Sequence, residues 1–220
     1  MPGKNIRLIA GKPLITWTIE QAKNSGLFDI VAVSSDSPDI LRVARDAGAD
    51  LLVDRPAEMA TDSAGKVPAI VHCLLAAEEA LGEHSPVFVD LDATSPLRDI
   101  DDIRAALDMI HQTGATNVIT AMSSRRSPYF NMVEPRADGC VGLSKPLPET
   151  VLRRQDSPKV YDMNGSIYVW QRDLFLAEPR VFYPDTRMHI MPEDRSIDID
   201  SPIDFDLVEL LLSRKYGVGI

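Results

Sequence analysis

Residues 86–98 read P-V-F-V-D-L-D-A-T-S-P-L-R. An apolar run rich in β-branched and aromatic residues gives way, within one loop, to a carboxylate, two hydroxyls, a proline and an arginine. A short continuous apolar run is the pattern of a strand buried on both faces, as in parallel sheets covered by helices. The polar tail then marks the carboxyl end of the strand, where open α/β sheets place their ligands.

The same unit recurs on both sides. Leu14, Trp17, Ile19 and Ala22 have helical spacing, Ser25-Gly26 stops the helix, and I-V-A-V-S-S follows at 30–35 as a strand. Residues 38–47 read as a helix closed by Gly48, 51–53 as a strand, and 67–81 as the helix that feeds the quoted strand. A helix over 100–110, capped by Asp99 or Asp101 and followed by Gly114, leads to N-V-I-T-A-M at 117–122. Repeated alternation of this kind predicts a three-layer α/β/α sandwich around a Rossmann-like, mostly parallel sheet.

After Ser123 the rhythm changes. Residues 124–160 are rich in Pro, Arg, Gly and polar side chains, with strand-like pieces at 130–133 and 140–143, which predicts an excursion from the main sheet. Strands resume at 166–170, 188–190 and 197–199, and a helix over 203–216 ends the pattern. The expectation is one domain over 1–220, with about 125–160 as an inserted segment.

Composition narrows the partners. At 45% hydrophobic and 25% charged the chain can bury a sizeable core. A formal charge of -10 excludes broad binding to nucleic acid or anionic membranes, which clustered Lys and Arg would serve. No run approaches the roughly 18 apolar residues of a membrane span, and no leader pattern opens the sequence, so a cytoplasmic protein is expected. Cys73 and Cys140 lack metal or redox spacing and read as reduced thiols.

Several clusters invite chemistry. In S-I-D-I-D-S-P, residues 196–202, inward-facing Ile197 and Ile199 would turn Asp198 and Asp200 the same way, with the strand's period of two. The pair reads either as a Mg²⁺ site, completed by substrate phosphates, or as an exposed acidic strand before a helix capped by Ser201. The loop at 92–98 can offer donors to a sugar or phosphate, with Arg98 adding a fork of N–H groups. The other reading makes Ser95-Pro96 a turn and Arg98 a surface charge. Arg55 and Lys66 bracket a polar loop ahead of a helix, where cations can grip phosphates. Arg154, Asn164 and Tyr168 offer the guanidinium, amide and phenol suited to a hydroxylated, carboxylated sugar, or are turn and core residues. The histidines are scattered and carry no assignment.

Taken together, K-N at 4–5 with G-K-P-L-I, V-S-S-D at 33–36, R-P-A-E-M-A-T-D-S, T-S-P-L-R, N-G-S-I-Y and S-I-D-I-D-S-P-I-D resemble the CMP-sialic acid synthetase (acylneuraminate cytidylyltransferase) family. The resemblance covers essentially the whole chain. Asp92, where sialic acid enzymes usually carry glutamine, and S-P-Y-F-N-M-V-E with K-V-Y-D-M-N-G-S-I-Y are similar to the branch that makes CMP-legionaminic acid. The fold implied is the nucleotide-diphospho-sugar transferase type. The activity implied is transfer of CMP from CTP to the anomeric hydroxyl of a nonulosonic acid, with Mg²⁺ as cofactor. Alternatives are another 2-keto acid sugar, pseudaminic acid or Kdo, or a truncated homologue that binds nucleotide without catalysis.

The resemblance also implies roles. Asp198 and Asp200 match the metal carboxylates, and with Lys4 they form the catalytic set. Lys4, Asn5, Arg55, Lys66 and Asp92 face the nucleotide. Asp92, Thr94, Arg154, Gln155, Asn164 and Tyr168 hold the sugar, and the segment at 125–160 makes a homodimer. The family pattern opens with a strand in the middle of the sheet and a loop of roughly A-R-G-G-S-K-x-x-P-x-K-N. This sequence, starting Met1-Pro2-Gly3-Lys4-Asn5, carries only the end of that loop, so a start further upstream is expected.

Overall fold

The computed structural model describes residues 1, 3–61, 65–149 and 151–217. A 3₁₀ turn at Lys4–Ile6 leads into a short hairpin, β1 (Leu8–Ile9) and β2 (Lys12–Pro13), which the sequence pattern had not disclosed. Then come α1 (Leu14–Ser25), β3 (Ala32–Ser35), α2 (Pro38–Asp46), β4 (Leu51–Asp54), α3 (Lys66–Leu81), β5 (Val87–Leu91), α4 (Ile100–Thr113) and β6 (Asn117–Ser123). Beyond them lie β7 (Val133–Pro135), β8 (Val141–Leu143), β9 (Tyr161–Gln171), α5 (Arg172–Ala177), β10 (Arg187–Ile190) and α6 (Pro202–Tyr216).

The caps explain the boundaries. Ser37 accepts a hydrogen bond from the Ile40 amide with Pro38 opening α2, and Ser201 with Asp204 forms a reciprocal capping box at α6. Asp99, rather than Asp101, caps α4, and Gly114 leaves that helix at φ 64°, a left-handed conformation that favours glycine.

β10, β6, β9 and β5 form one sheet in that order, while β3 and β4 pair in parallel as a second. β10 is parallel to β6, but β9 runs antiparallel to both β6 and β5. Three strands of the larger sheet therefore share a direction, and β9 alone opposes them. Its reversal has a physical origin: β9 is reached through the excursion and not through a right-handed helical crossover, so nothing forces it parallel. The sequence 197–199, expected as a strand, is paired in no sheet of the described residues; the Ile199 amide donates to the Thr94 carbonyl at 3.0 Å.

Alternation along β6 and β9 divides the core into two faces. Val118, Ile167 and Val169 meet Ile103, Ala106 and Ile110 of α4, whereas Ile119, Tyr168 and Trp170 meet Ile70 and Leu74 of α3 and Phe175 of α5. A third cluster packs α6, through Phe205, Val208 and Leu212, on Ile9, Leu14, Trp17 and Ile199. A fourth joins α1 and α2 over Val33 and Leu52 of the smaller sheet.

Between the two sheets a cleft of roughly 750 Å³ is lined by successive residues of β3 and β5 together with α1 and α3. Its upper rim gathers the polar ends of β3, β4 and β5.

Candidate active site

At the carboxyl end of β5, Asp90 and Asp92 project toward the α3 face, two residues apart, as the strand's pleat requires. Lys66, the first residue of α3, lies between them, with Nζ 2.6 Å from Asp90 and 3.2 Å from Asp92, and 4.3 Å above the Tyr168 ring. Burial opposes the charge on Lys66, yet the two aspartates outweigh it and push the ammonium above its usual range. Burial likewise opposes ionisation of Asp92, but Lys66 and Thr94 hold its carboxyl below the ordinary range.

Asp92 Oδ1 accepts from the Thr94 amide at 3.2 Å and from the Thr94 hydroxyl at 2.8 Å. The Thr94 hydroxyl also lies beside the carboxylate of Asp198, whose ionised form it favours. A hydroxyl carries one proton, and here it faces two carboxylates. Burial, followed by the charges of Asp92 and Asp200, raises the pKa of Asp198, and its Oδ1 is buried with no hydrogen-bond partner. An orphaned, desolvated carboxylate oxygen beside two like charges is the chemistry that a hard cation satisfies. Asp198 and Asp200 fit Mg²⁺ on that ground. Among the described residues no three His, Cys, Asp or Glu side chains converge as a metal cage, so such an ion would draw its remaining ligands from substrate and water.

The alternation expected at 197–200 is present. Ile199 is fully buried and Ile197 packs against the same cluster, while Asp200 is exposed. Lys4 joins this end of the site: its Nζ donates to the Ile199 carbonyl at 2.6 Å and lies 3.5 Å from Asp200. Ser201 caps α6, and the Asp200 carboxylate before it stays exposed.

The cleft proper is lined by Asn5, Ser34, Asp36, Arg55, Lys66 and Asp92, among others. Arg55 pairs with Asp36 at 3.2 Å, while among the described residues its Nε and the Asn5 Oδ1 are buried without partners. These are unused donor and acceptor groups on residues that line the cleft.

The residues matched to the sugar are more dispersed. Arg154 donates to the Ser124 carbonyl at 2.6 Å, and Gln155 is exposed next to it. Asn164 is buried with its amide engaged: Oδ1 accepts from Thr120 at 2.7 Å and Nδ2 donates to Ser196 at 3.0 Å. Tyr168 is a core residue stacked on Trp170 at 5.4 Å, touching the site through Lys66. Lys66, Asp92, Thr94 and Tyr168 are thus joined by contacts, Lys4 meets Asp200, Asp198 lies within the charges of Asp92 and Asp200, Asn5 and Arg55 lie along the same cleft, and Arg154, Gln155 and Asn164 stand outside its lining.

Two participants escaped the sequence reading. Asp90 sat inside an apolar run, although its spacing from Asp92 put both on one face. Arg98, read as a surface charge or a donor to ligand, is buried at 1% exposure and is neither.

The sequence profile of the cytidylyltransferases matches residues 1–211. The chain is 42% identical over 212 residues to the post-translational flagellin modification protein B of Campylobacter coli, covering 96% of this chain and 89% of that protein. It is 40% identical, with the same coverage, to the CMP-N,N'-diacetyllegionaminic acid synthase of Campylobacter jejuni. An N-acylneuraminate cytidylyltransferase of Streptococcus agalactiae is 30% identical over 93% of this chain and 48% of its own length. The fold superimposes on a CMP:2-keto-3-deoxy-manno-octonic acid synthetase solved with CTP, with a TM-score of 0.67 at 16% identity over 98% of this chain and 93% of the other. With the polar rim, the cleft and the aspartate pair placed as described, the chain belongs to the cytidylyltransferase family, enzymes that transfer nucleotidyl groups.

Proposed function

We propose that this enzyme transfers CMP from CTP to the anomeric hydroxyl of a nonulosonic acid of the legionaminic type and releases pyrophosphate. The observation that carries the reading is the gathering of Lys4 with Asp200, of Asp92 with Thr94 and Lys66, and of Asp198 within the charges of Asp92 and Asp200, at the mouth of the cleft. The relatives at 42% and 40% identity, one of them named as a CMP-N,N'-diacetyllegionaminic acid synthase, support the choice of sugar.

In this reading Asn5 and Arg55 turn their unpartnered groups to the nucleotide, Lys66 screens Asp90 and Asp92 from its phosphates, and Lys4 steadies the outer phosphates. Asp198 and Asp200 hold Mg²⁺, which when bound supplies positive charge against the phosphoryl oxygens. The anomeric oxygen attacks the α-phosphorus, the bond to the bridging oxygen breaks, pyrophosphate departs and the hydroxyl proton is lost to water. Positioning and electrostatics suffice for such a transfer, and no covalent nucleophile is required. Asp92 and Thr94 meet the sugar ring. Arg154 and Gln155 contact it from the inserted segment, and Asn164 serves the pocket by orienting β9.

The segment at about 125–160 makes the enzyme a homodimer. Val133, Val141 and Leu143 expose one apolar face of the β7–β8 hairpin, which a second copy would cover. Among the described residues no helix is long and apolar enough to cross a membrane. We place the reaction in the cytoplasm, where CTP is made and Cys73 and Cys140 stay reduced. The test is pyrophosphate release with CTP, Mg²⁺ and, in turn, N,N'-diacetyllegionaminic, sialic, pseudaminic and Kdo acids. Turnover with the first at least tenfold above the others supports the reading. Preference for Kdo or pseudaminic acid rejects the substrate, and loss of no activity on chelation rejects the metal.

A further inference from the structure

Arg98 is a buried cation with no carboxylate of the described residues in contact. Its guanidinium is 1% exposed, and burial lowers its pKa to about 10, partly offset by the charges of Asp92, Asp90, Asp102 and Asp198 around it. A charge in that position is costly unless its donors are well used, and here they are. Nε donates to the Ser95 carbonyl at 2.9 Å, Nη1 to the Ser166 carbonyl at 3.0 Å, and Nη2 to the Thr18 hydroxyl at 3.1 Å and to the Asp92 carbonyl.

The pattern singles out Asp92. Its carbonyl is held by Arg98 directly and by the Thr18 hydroxyl at 3.4 Å, while its amide donates at 3.1 Å to the Ser166 carbonyl, the same oxygen that Arg98 grips. Both sides of the Asp92 backbone are thus fixed through one guanidinium, and Gln21 completes the brace by donating to the Pro96 carbonyl at 2.7 Å and the Arg98 carbonyl at 3.1 Å. The brace links α1, the loop after β5, and β9. Side chains that must stay near 0.5 Å of a productive position need such support from behind.

We infer that Arg98 is a positioning residue of the transfer reaction: without touching substrate, it fixes the backbone of Asp92 and so the Asp92–Thr94–Asp198 cluster. Its planar fork answers several carbonyls at once, which a lysine does only in part. The inference rests on the function proposed above.

The test is steady-state kinetics of R98M and R98K with CTP and N,N'-diacetyllegionaminic acid, alongside circular dichroism and thermal melts. Misplacement of a reacting group by about 1 Å costs on the order of 100-fold, so R98M is expected to lose about 100-fold in kcat. Its KM for CTP is expected to stay within about threefold, because in the function proposed above Asp92 meets the sugar ring, while Asn5 and Arg55, which face the nucleotide, do not contact Arg98. R98K should recover about tenfold of the loss. A folded R98M with kcat within about threefold of wild type, a matching loss in kcat and nucleotide affinity, or an R98K no better than R98M overturns the inference. Should R98M fail to fold, T18V, which deletes one acceptor of the same fork, should lower kcat severalfold at unchanged KM for CTP; an unchanged kcat overturns it equally. A wild type that turns over none of these acids sinks the functional reading and this one together, whereas an active wild type matched by R98M sinks this one alone.

Discussion

Asp102 and Asp198 are the same side chain in two partly or fully buried settings, and they titrate in opposite directions. Asp102, near the start of α4, is 2% exposed. Its carboxylate accepts from Arg195 Nε and Nη2 and from the Asp99 amide, each at 2.9 Å, with His189 3.5 Å away. Burial opposes its ionisation, but His189 and Arg195 prevail and bring its pKa to about 2. Asp198 has one shared hydroxyl, two aspartates for neighbours and an orphaned oxygen, and its pKa rises. Burial opposes ionisation in both; the number and charge of the partners decide whether it is overcome. One region spends its carboxylate on holding α4 to the turn at Glu193–Arg195, while the other leaves a carboxylate unsatisfied where a cation and phosphates can complete it.

The largest expected difference is in rate. Asp198→Asn and Asp200→Asn should each lower turnover on the order of 100-fold or more, as for loss of a principal electrostatic stabiliser, measured by pyrophosphate release at saturating Mg²⁺. A rate within threefold of wild type would reject their role. Asp102→Asn should do the reverse, costing about 2–3 kcal/mol of stability in urea titrations by leaving Arg195 half-paired, with kcat within about threefold. A large loss of turnover in a stably folded Asp102→Asn would erase the contrast.

The acid limb of stability provides the next check. Asp102 has a folded pKa depressed from 3.8 to about 2. Its ionised form therefore favours the folded state, a contribution of about 2 kcal/mol that is complete above pH 4 and lost as pH falls from about 4 to 2. The difference in stability between wild type and Asp102→Asn, followed by denaturant unfolding, should shrink over that window. Lys66→Met, which leaves Asp90 and Asp92 without their counter-ion, should reduce kcat/KM for CTP by about tenfold. The smallest effect has the opposite sign to the usual mutation: Asp198→Asn relieves a desolvated charge and should raise the melting temperature by about 2 °C. A lowered melting temperature would show that Asp198 is already well satisfied in the folded chain.

Local pattern carried much of this architecture. The helices at Leu14–Ser25, Pro38–Asp46, Lys66–Leu81, Ile100–Thr113 and Pro202–Tyr216 follow from apolar spacing and caps, and the structure moves their ends by a few residues at most. α5 was missed because its six residues continue directly from β9 with no intervening turn signal. In the site, Asp198 and Asp200 were legible through the pleat period. Asn164, by contrast, carried no mark that its amide is consumed by Thr120 and Ser196.

The sequence by itself determined the layered class, the positions of most elements, and the clustering of polar residues at strand ends, because periodicity, capping and turn chemistry act over a few residues. Only the tertiary structure decided that β9 runs antiparallel, that Lys66 lies between Asp90 and Asp92, that one Thr94 proton faces two carboxylates, and that Arg98 is enclosed beneath them. Those outcomes depend on which segments, tens of residues apart in the chain, share a low-dielectric neighbourhood, and desolvation and charge pairing are set there and not by local spacing.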